Sequence, residues 1–174
     1  MRKSSFLKHI QQLGEEDLRD ELTMLFTKVK GVSEFYKMEL GTEADRKKLY
    51  DKAKANIRSK FATKSYRRPR KPRVQKVNTL LKELKDKAIF DYEMIDIYLF
   101  TCETALEFCS EYEFLSVPVS NIIINTYDKA INLISHNNMD SDYKDRCAKI
   151  TKMIYFDDHL NTLIYTSYIS LYND

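Results

Sequence analysis

Tryptophan is absent from the 174-residue sequence, and glycine, proline and cysteine occur only three times each. Turn-rich β-folds need glycine and proline at many tight turns, so this scarcity argues against a sandwich or a barrel. The odd number of cysteines and the lack of a Cys-x-x-Cys pair argue against a disulfide framework and against a zinc site. We therefore expect reduced thiols and a cytoplasmic protein.

Long apolar runs are also missing. None approaches the roughly 20 residues that a membrane span needs, and the first residues lead into no apolar segment typical of a signal peptide. The sequence has no glycine-rich phosphate loop and no Gly-x-Ser-x-Gly motif, and its three histidines stand in different segments without metal-ligand spacing. We expect no membrane association, no cofactor and no metal, and the sequence favours a protein that is not an enzyme.

Apolar residues recur at helical spacing through nearly the whole chain. The longest such segment runs from Asp91 to about Tyr112, and its apolar residues, spaced 4-3-4-3, are Ile95, Leu99, Cys102, Leu106 and Cys109. Such a seam must face other helices. The isoleucines at 122–124 are the one place where a strand could compete, and their flanks favour helix. We predict an all-α fold: residues 1–174 form a single domain of about eight to nine helices, packed as stacked helical hairpins.

Helix ends can be predicted from single residues. Gly14, Gly31 and Gly41 are predicted to end the first three helices. Thr42, with Asp45 three residues later, resembles a capping box at the start of the fourth helix. An aspartate at position 91 is predicted to cap the longest helix.

The net charge of +3 hides a strong asymmetry along the chain. Residues 44–76 carry fourteen lysines and arginines against two aspartates, whereas residues 91–174 carry five basic against fourteen acidic residues. We call these the basic block and the acidic block. Blocks of opposite sign either face each other or face different partners.

The basic block is densest at residues 64–76, where seven of thirteen residues are cationic, none is acidic, and two prolines prevent a continuous helix. We predict a basic, proline-containing loop between helices at residues 63–73. It is either solvated or paired within the chain, or it binds phosphates while an aromatic ring stacks on a base. The residues of this candidate binding surface are Tyr66, Arg67, Arg68, Arg70, Lys71 and Arg73.

The acidic block contains a ridge of three glutamates, Glu103, Glu107 and Glu111, at successive spacings of four on the longest helix. Like charges at this spacing weaken a helix, so the acidic ridge is either solvated or neutralised by cations. A metal site would want Glu-x-x-His partners, which the sequence lacks. Residues 91–128 contain no lysine or arginine, so we predict that at least one of the four arginines of the basic loop contacts the acidic ridge.

Two weaker candidates remain. Asp157-Asp158-His159 is either the acidic start of the last helix or an acid–base or metal site. Cys102, Cys109 and Cys147 share faces with leucine and isoleucine, so we predict small, buried and unreactive side chains.

Three tyrosines, Tyr165, Tyr168 and Tyr172, follow helical spacing near the end of the chain. This aromatic stripe is either a homodimer surface or packs on its own chain.

The order of several segments is similar to that of a known family. These segments are Leu13–Leu18, Glu34-Phe35-Tyr36, Val74-x-x-Val77, the run Tyr98–Tyr112, Tyr127-x-x-Ala130 and Phe156–Leu160. The chain resembles a small uncharacterised bacterial family, a Bacteroidetes-type grouping of helical proteins with a domain of unknown function. The resemblance implies an all-helical single domain and implies no activity.

Three functional hypotheses follow. The first is a non-enzymatic module that presents helical surfaces to a protein partner. The alternative is a protein that binds nucleic acid or another polyanion through the basic segment 46–76. An enzyme that uses the acidic ridge or Asp157-Asp158-His159 is the weakest hypothesis.

Overall fold

A computed structural model of the chain describes residues 2–63, 69–87 and 90–172. These residues form nine α-helices and no strand, which confirms the predicted all-α class. The isoleucines at 122–124 lie inside the seventh helix. The helices are α1 (Lys3–Ile10), α2 (Glu15–Lys28), α3 (Lys30–Glu39), α4 (Glu43–Phe61), α5 (Val74–Lys85), α6 (Asp91–Tyr112), α7 (Val117–His136), α8 (Asp140–Lys152) and α9 (Asp158–Tyr172).

The chain divides into two compact units, Met1–Arg46 and Lys47–Asp174. In the first unit α2 packs against α3. The ring of Tyr36 lies 6.4 Å from that of Phe26 and 5.5 Å from that of Phe35. Met38 is the one buried residue among those described in this unit. The other apolar side chains of the unit are therefore largely at the surface.

The second unit is built around α6, which packs against α5, α7 and α8 and buries thirteen of its 22 residues. Every residue of its predicted apolar seam is at most 2% exposed, which confirms that prediction. Asn137, after the end of α7, donates from Nδ2 to Asp91 at the start of α6 at 3.0 Å, so the two helices run antiparallel. The last helix, α9, packs against α7 and α8. The consecutive pairs α6–α7 and α8–α9 match the predicted stacked hairpins.

Two of the predicted glycine stops are wrong. The first helix ends at Ile10, and Gly14 instead precedes α2, where its N–H donates to Asp17. The chain leaves α2 at Val29, whose backbone is extended, and Gly31 lies inside α3. Neither glycine has a positive φ, so neither position uses the left-handed conformation on which the prediction depended.

Gly41 does follow the end of α3, and it is needed there for space. A Cβ atom at this position would lie 2.2 Å from the carbonyl oxygen of Lys37. The predicted start of α4 is also confirmed, because the N–H of Asp45 donates to Oγ1 of Thr42 at 3.3 Å. Asp91 is the first residue of α6 rather than its cap, so that boundary prediction is wrong by one residue.

Left-handed residues end the two central helices. Glu113 follows α6 with φ 47°, and Asn138 follows α7 with φ 53°. In each case the next residue donates its N–H back into the helix, Phe114 to Cys109 at 3.3 Å and Met139 to Ile134 at 3.0 Å. This is the hydrogen bond of a helix end that normally prefers glycine at the left-handed position.

Candidate functional site

The acidic ridge begins with a partly buried ion pair. Arg146, on α8, donates from Nε and Nη2 to the two carboxylate oxygens of Glu103, both at 2.8 Å. The same guanidinium donates from Nη1 to Oδ1 of Asp96 at 2.7 Å. The side chains of Arg146 and Glu103 are 28% and 23% exposed. A guanidinium that engages a carboxylate with two parallel bonds is in its strongest geometry.

Asp96 connects this ion pair to α4, because its Oδ2 lies 2.5 Å from Nζ of Lys54. Partial burial alone would raise the pKa of Asp96, but hydrogen bonds from Lys54 and Arg146 outweigh burial and hold the pKa below its ordinary value. Burial alone would lower the pKa of Arg146, but its bonds to the two carboxylates raise it. We call Lys54, Asp96, Glu103 and Arg146 the ion network. It joins α4, α6 and α8.

The basic and acidic blocks therefore meet through α4, where Lys54 pairs with Asp96. Arg58, also on α4, makes a second contact with α6: its guanidinium lies 5.1 Å from the ring centroid of Phe100. Within the described residues, Arg70 and Arg73 form no ion pair with the acidic ridge. The other two arginines of the loop, at positions 67 and 68, lie outside the described residues, so for them the predicted contact stays a prediction.

Sequence reasoning missed Arg146, although a signal was present. Tyr143, Cys147 and Ile150 mark the buried face of α8, and position 146 lies on that same face. A lone cation on an apolar helix face predicts a carboxylate partner on a facing helix.

Two hydrogen bonds hold the described C-terminal part of the basic loop close to the end of α4. The N–H of Arg73 donates to the carbonyl of Lys60, the second-last residue of α4, at 3.1 Å, and the N–H of Arg70 donates to Oγ1 of Thr63 at 3.0 Å. The side chains of Arg70, Lys71 and Arg73 are exposed. Tyr66, Arg67 and Arg68 of the candidate binding surface lie outside the described residues. The described cations are thus held at a fixed place on the surface while their charges face solvent.

An open pocket of about 680 Å³ lies where this loop enters α5. Its walls come from the first turns of α5 and from one face of α7. The lining residues are Pro72, Arg73, Val74, Gln75, Lys76, Asn78, Val117, Pro118, Asn121, Ile122 and Asn125. Among the described residues, two cations and four side-chain amides line the pocket and no acidic residue does. Neither α5 nor α7 has an acidic residue in its first turn, so the local potential is positive.

The three cysteines are free and buried, as predicted. Burial raises the pKa of each thiol, well above its ordinary value for Cys102 and to about 12 for Cys109. The backbone carbonyl of Cys147 accepts a hydrogen bond from the hydroxyl of Tyr127 at 3.4 Å. Thiols in such surroundings hold little thiolate near neutral pH, so they are poor nucleophiles.

The segment Asp157-Asp158-His159 starts the last helix. Oδ1 of Asp157 accepts the N–H of Leu160 at 2.7 Å, which is the capping role predicted as one of its two interpretations. Across the described ranges, no three His, Cys, Asp or Glu side chains come together as potential metal ligands. Among all the residues that the structure describes, no helix is both long and apolar enough to span a membrane.

The aromatic stripe on α9 is partly covered. Tyr165 is 51% exposed, whereas Tyr168 and Tyr172 are half-buried. The ring of Tyr168 lies 6.3 Å from that of Tyr165 and 4.8 Å from that of Tyr172. Tyr168 and Tyr172 therefore pack partly against their own chain, and Tyr165 remains at the surface.

Searches of curated proteins and of solved structures found no match. A family model described as a family of unknown function, DUF6155, matches residues 1–170 and so spans both compact units. This agrees with the expected resemblance to a family without an assigned activity. The chain belongs to the family of unknown function DUF6155.

Proposed function

We propose that this protein binds polyanions, above all single-stranded nucleic acid, through the basic surface that runs from α4 into the start of α5. The observation that carries this proposal is the state of the described loop cations. Arg70, Lys71 and Arg73 are exposed, and among the described residues none of them forms an ion pair. The protein would do this in the cytoplasm and without a cofactor.

The ion network is the reason to place polyanion binding, the alternative in the sequence analysis, ahead of protein binding. The most economical use of the basic loop inside the chain was to neutralise the acidic ridge. In the structure Glu103, the first of the three ridge glutamates, has both carboxylate oxygens engaged by Arg146 of α8. The described loop cations are left available to a negatively charged partner, and phosphate groups are the partner that dense arginine and lysine favour.

A salt titration tests the proposal. Fluorescence anisotropy with a labelled single-stranded oligonucleotide should show binding at low salt. If about five cations each neutralise one phosphate, the slope of log K against log salt should be about −3.5. Changing Arg67, Arg68, Arg70 and Lys71 together to Ser should remove most of the binding.

The matched control changes four exposed lysines elsewhere, Lys82, Lys144, Lys149 and Lys152, to Ser. This variant has the same net charge as the loop variant, so it separates a local surface from overall charge. Circular dichroism checks that both variants fold. Absence of binding by the wild type at low salt, or equal losses in the two variants, would overturn the proposal.

A second candidate function, protein binding, is favoured by the first compact unit. Of the fourteen large hydrophobic side chains that are exposed among the described residues, eight lie in residues 2–46. They are Phe6, Leu7, Leu22, Met24, Phe26, Val29, Phe35 and Leu40. Exposed apolar surface of this density is typical of a site that another protein covers. An open groove of about 480 Å³ beside Phe26, Tyr36 and Leu40 suits one apolar helix of a partner.

Site-directed photo-crosslinking from position 40 tests this second candidate. A partner identified in this way should bind the purified wild type and should lose at least tenfold in affinity for the Phe26→Glu variant. Tyr155→Glu, a change at a side chain that is 74% exposed in the second unit, is the matched control. Equal binding by wild type and Phe26→Glu would contradict a docking site on this unit.

A further inference from the structure

We propose that the pocket between α5 and α7 binds one unstacked nucleotide of a single strand, an inference that rests on the proposed polyanion binding. The pocket volume of about 680 Å³ falls within the range of roughly 300–1,000 Å³ that is usual for small-ligand sites. The basic loop leads directly into it, since Pro72 and Arg73 belong both to the loop and to the pocket wall. A strand that follows the loop therefore reaches the pocket.

The phosphate side of the site consists of Arg73 and Lys76. Both side chains are exposed and, in the described part of the chain, neither forms an ion pair. Among the described residues of the pocket wall, no acidic side chain competes for them. The guanidinium offers a planar pair of donors and the ammonium offers a point charge, a combination that suits a phosphodiester.

The base side of the site consists of side-chain amides. Asn121 and Asn125 lie one turn apart on α7, and Asn78 faces the same pocket from α5. Within the described ranges, no hydrogen bond engages these three amides. An amide offers a donor and an acceptor together, which is what the Watson–Crick edge of an unpaired base requires.

The apolar part of the wall gives the base a surface to lie on. Val117 is 74% exposed, and it lines the pocket together with Pro118. The nucleobase face gains by covering apolar surface, and it can do so only when the base is free of its own stack. This predicts a preference for single strands over duplexes, which uniform attraction between charges does not give.

The experiment compares three double variants by anisotropy on the same labelled single strand, with a salt titration for each. Asn121→Ala with Asn125→Ala removes base contacts without changing charge. Arg73→Ser with Lys76→Ser removes phosphate contacts. Lys144→Ser with Lys149→Ser, at two exposed lysines of α8, is the charge-matched control. Thermal unfolding of each variant verifies that it is folded.

The amide variant should weaken binding by about tenfold while the salt slope stays that of the wild type. The charge variant should reduce the slope by about 1.4, and the control should leave affinity and slope nearly unchanged. A duplex of the same sequence should compete at least tenfold less well than the unlabelled single strand. Uridine and adenosine monophosphates at millimolar concentration should displace the strand, whereas inorganic phosphate at equal ionic strength should not.

The outcomes separate the two proposals. Absence of binding to any oligonucleotide at low salt contradicts the proposed function itself. Binding that the amide variant leaves unchanged, or a duplex that competes as well as the single strand, contradicts the nucleotide pocket and leaves polyanion binding in place. Displacement by inorganic phosphate as effective as that by nucleotides would show a phosphate site without base recognition, which also overturns the pocket proposal.

Discussion

Arg146 and Glu103 stand 43 positions apart in the sequence and share two parallel hydrogen bonds of 2.8 Å between α8 and α6. We expect Arg146→Ala to lower the free energy of unfolding by about 1–3 kcal/mol, because it leaves two partly buried carboxylates without their common partner. A double-mutant cycle with Glu103→Ala, measured by urea unfolding, should show a coupling energy above about 0.5 kcal/mol. Lys149→Ala, at an exposed residue of the same helix, should be nearly neutral. Additive effects of Arg146→Ala and Glu103→Ala on the free energy of unfolding would contradict the pairing.

The ion network should also give the protein a pH-dependent stability at the acid end. The pKa of Asp96 is held below its ordinary value of 3.8, so the stabilisation is fully present above that value and is lost as pH falls through the lower, folded value. The difference in stability between wild type and Arg146→Ala should therefore shrink below about pH 4. Urea unfolding of both proteins at pH 6, 4 and 3 measures this difference in stability. A difference that grows as the pH falls would contradict the predicted direction.

The cysteines should resist modification in the native state. Because all three side chains are buried and their pKa values are raised, a thiol reagent at pH 8 should label fewer than one thiol per chain within minutes and three after denaturation. Rapid labelling of two or more in the folded protein would show that the packing around α6 is not as described.

The left-handed end of α6 should tolerate glycine better than glutamate. At φ 47° a side chain is strained, so Glu113→Gly should raise the free energy of unfolding by about 0.5–1 kcal/mol after the greater entropy of the unfolded glycine is deducted. The control is Glu111→Gly, two residues earlier inside the helix, which should lower it by about 1 kcal/mol. Thermal unfolding of both variants measures the two changes in stability. A Glu113→Gly variant less stable than the wild type would contradict the prediction.

The partly covered aromatic stripe of α9 predicts weak self-association. Tyr165 is its exposed member, so a homodimer that uses this stripe should weaken on Tyr165→Glu and should be unaffected by Tyr92→Glu on α6. Sedimentation at increasing concentration up to high micromolar measures the association. A wild type that stays monomeric throughout would assign the stripe to packing within one chain.

The sequence predicted those parts of the structure that local patterns determine. The seam of α6 was evident because apolar residues repeat at helical spacing, and the start of α4 because Thr42 and Asp45 stand at capping distance. The ion network was not evident, since a pair such as Lys54 and Asp96 depends on which helices become neighbours. The break at Val29 was missed because an extended residue between two helices needs no glycine or proline to mark it.

The hydrogen bond from Arg73 to Lys60 has a consequence for engineering this chain. It joins the last turn of α4 to the residue that precedes α5 by a backbone hydrogen bond of 3.1 Å. The free energy of closing a flexible loop rises by only about 0.6 kcal/mol when its length doubles. A peptide epitope or a small reporter domain inserted between Thr63 and Pro69 should therefore leave the helices of the second unit in register. The same place should also serve for circular permutation or for a cleavable linker.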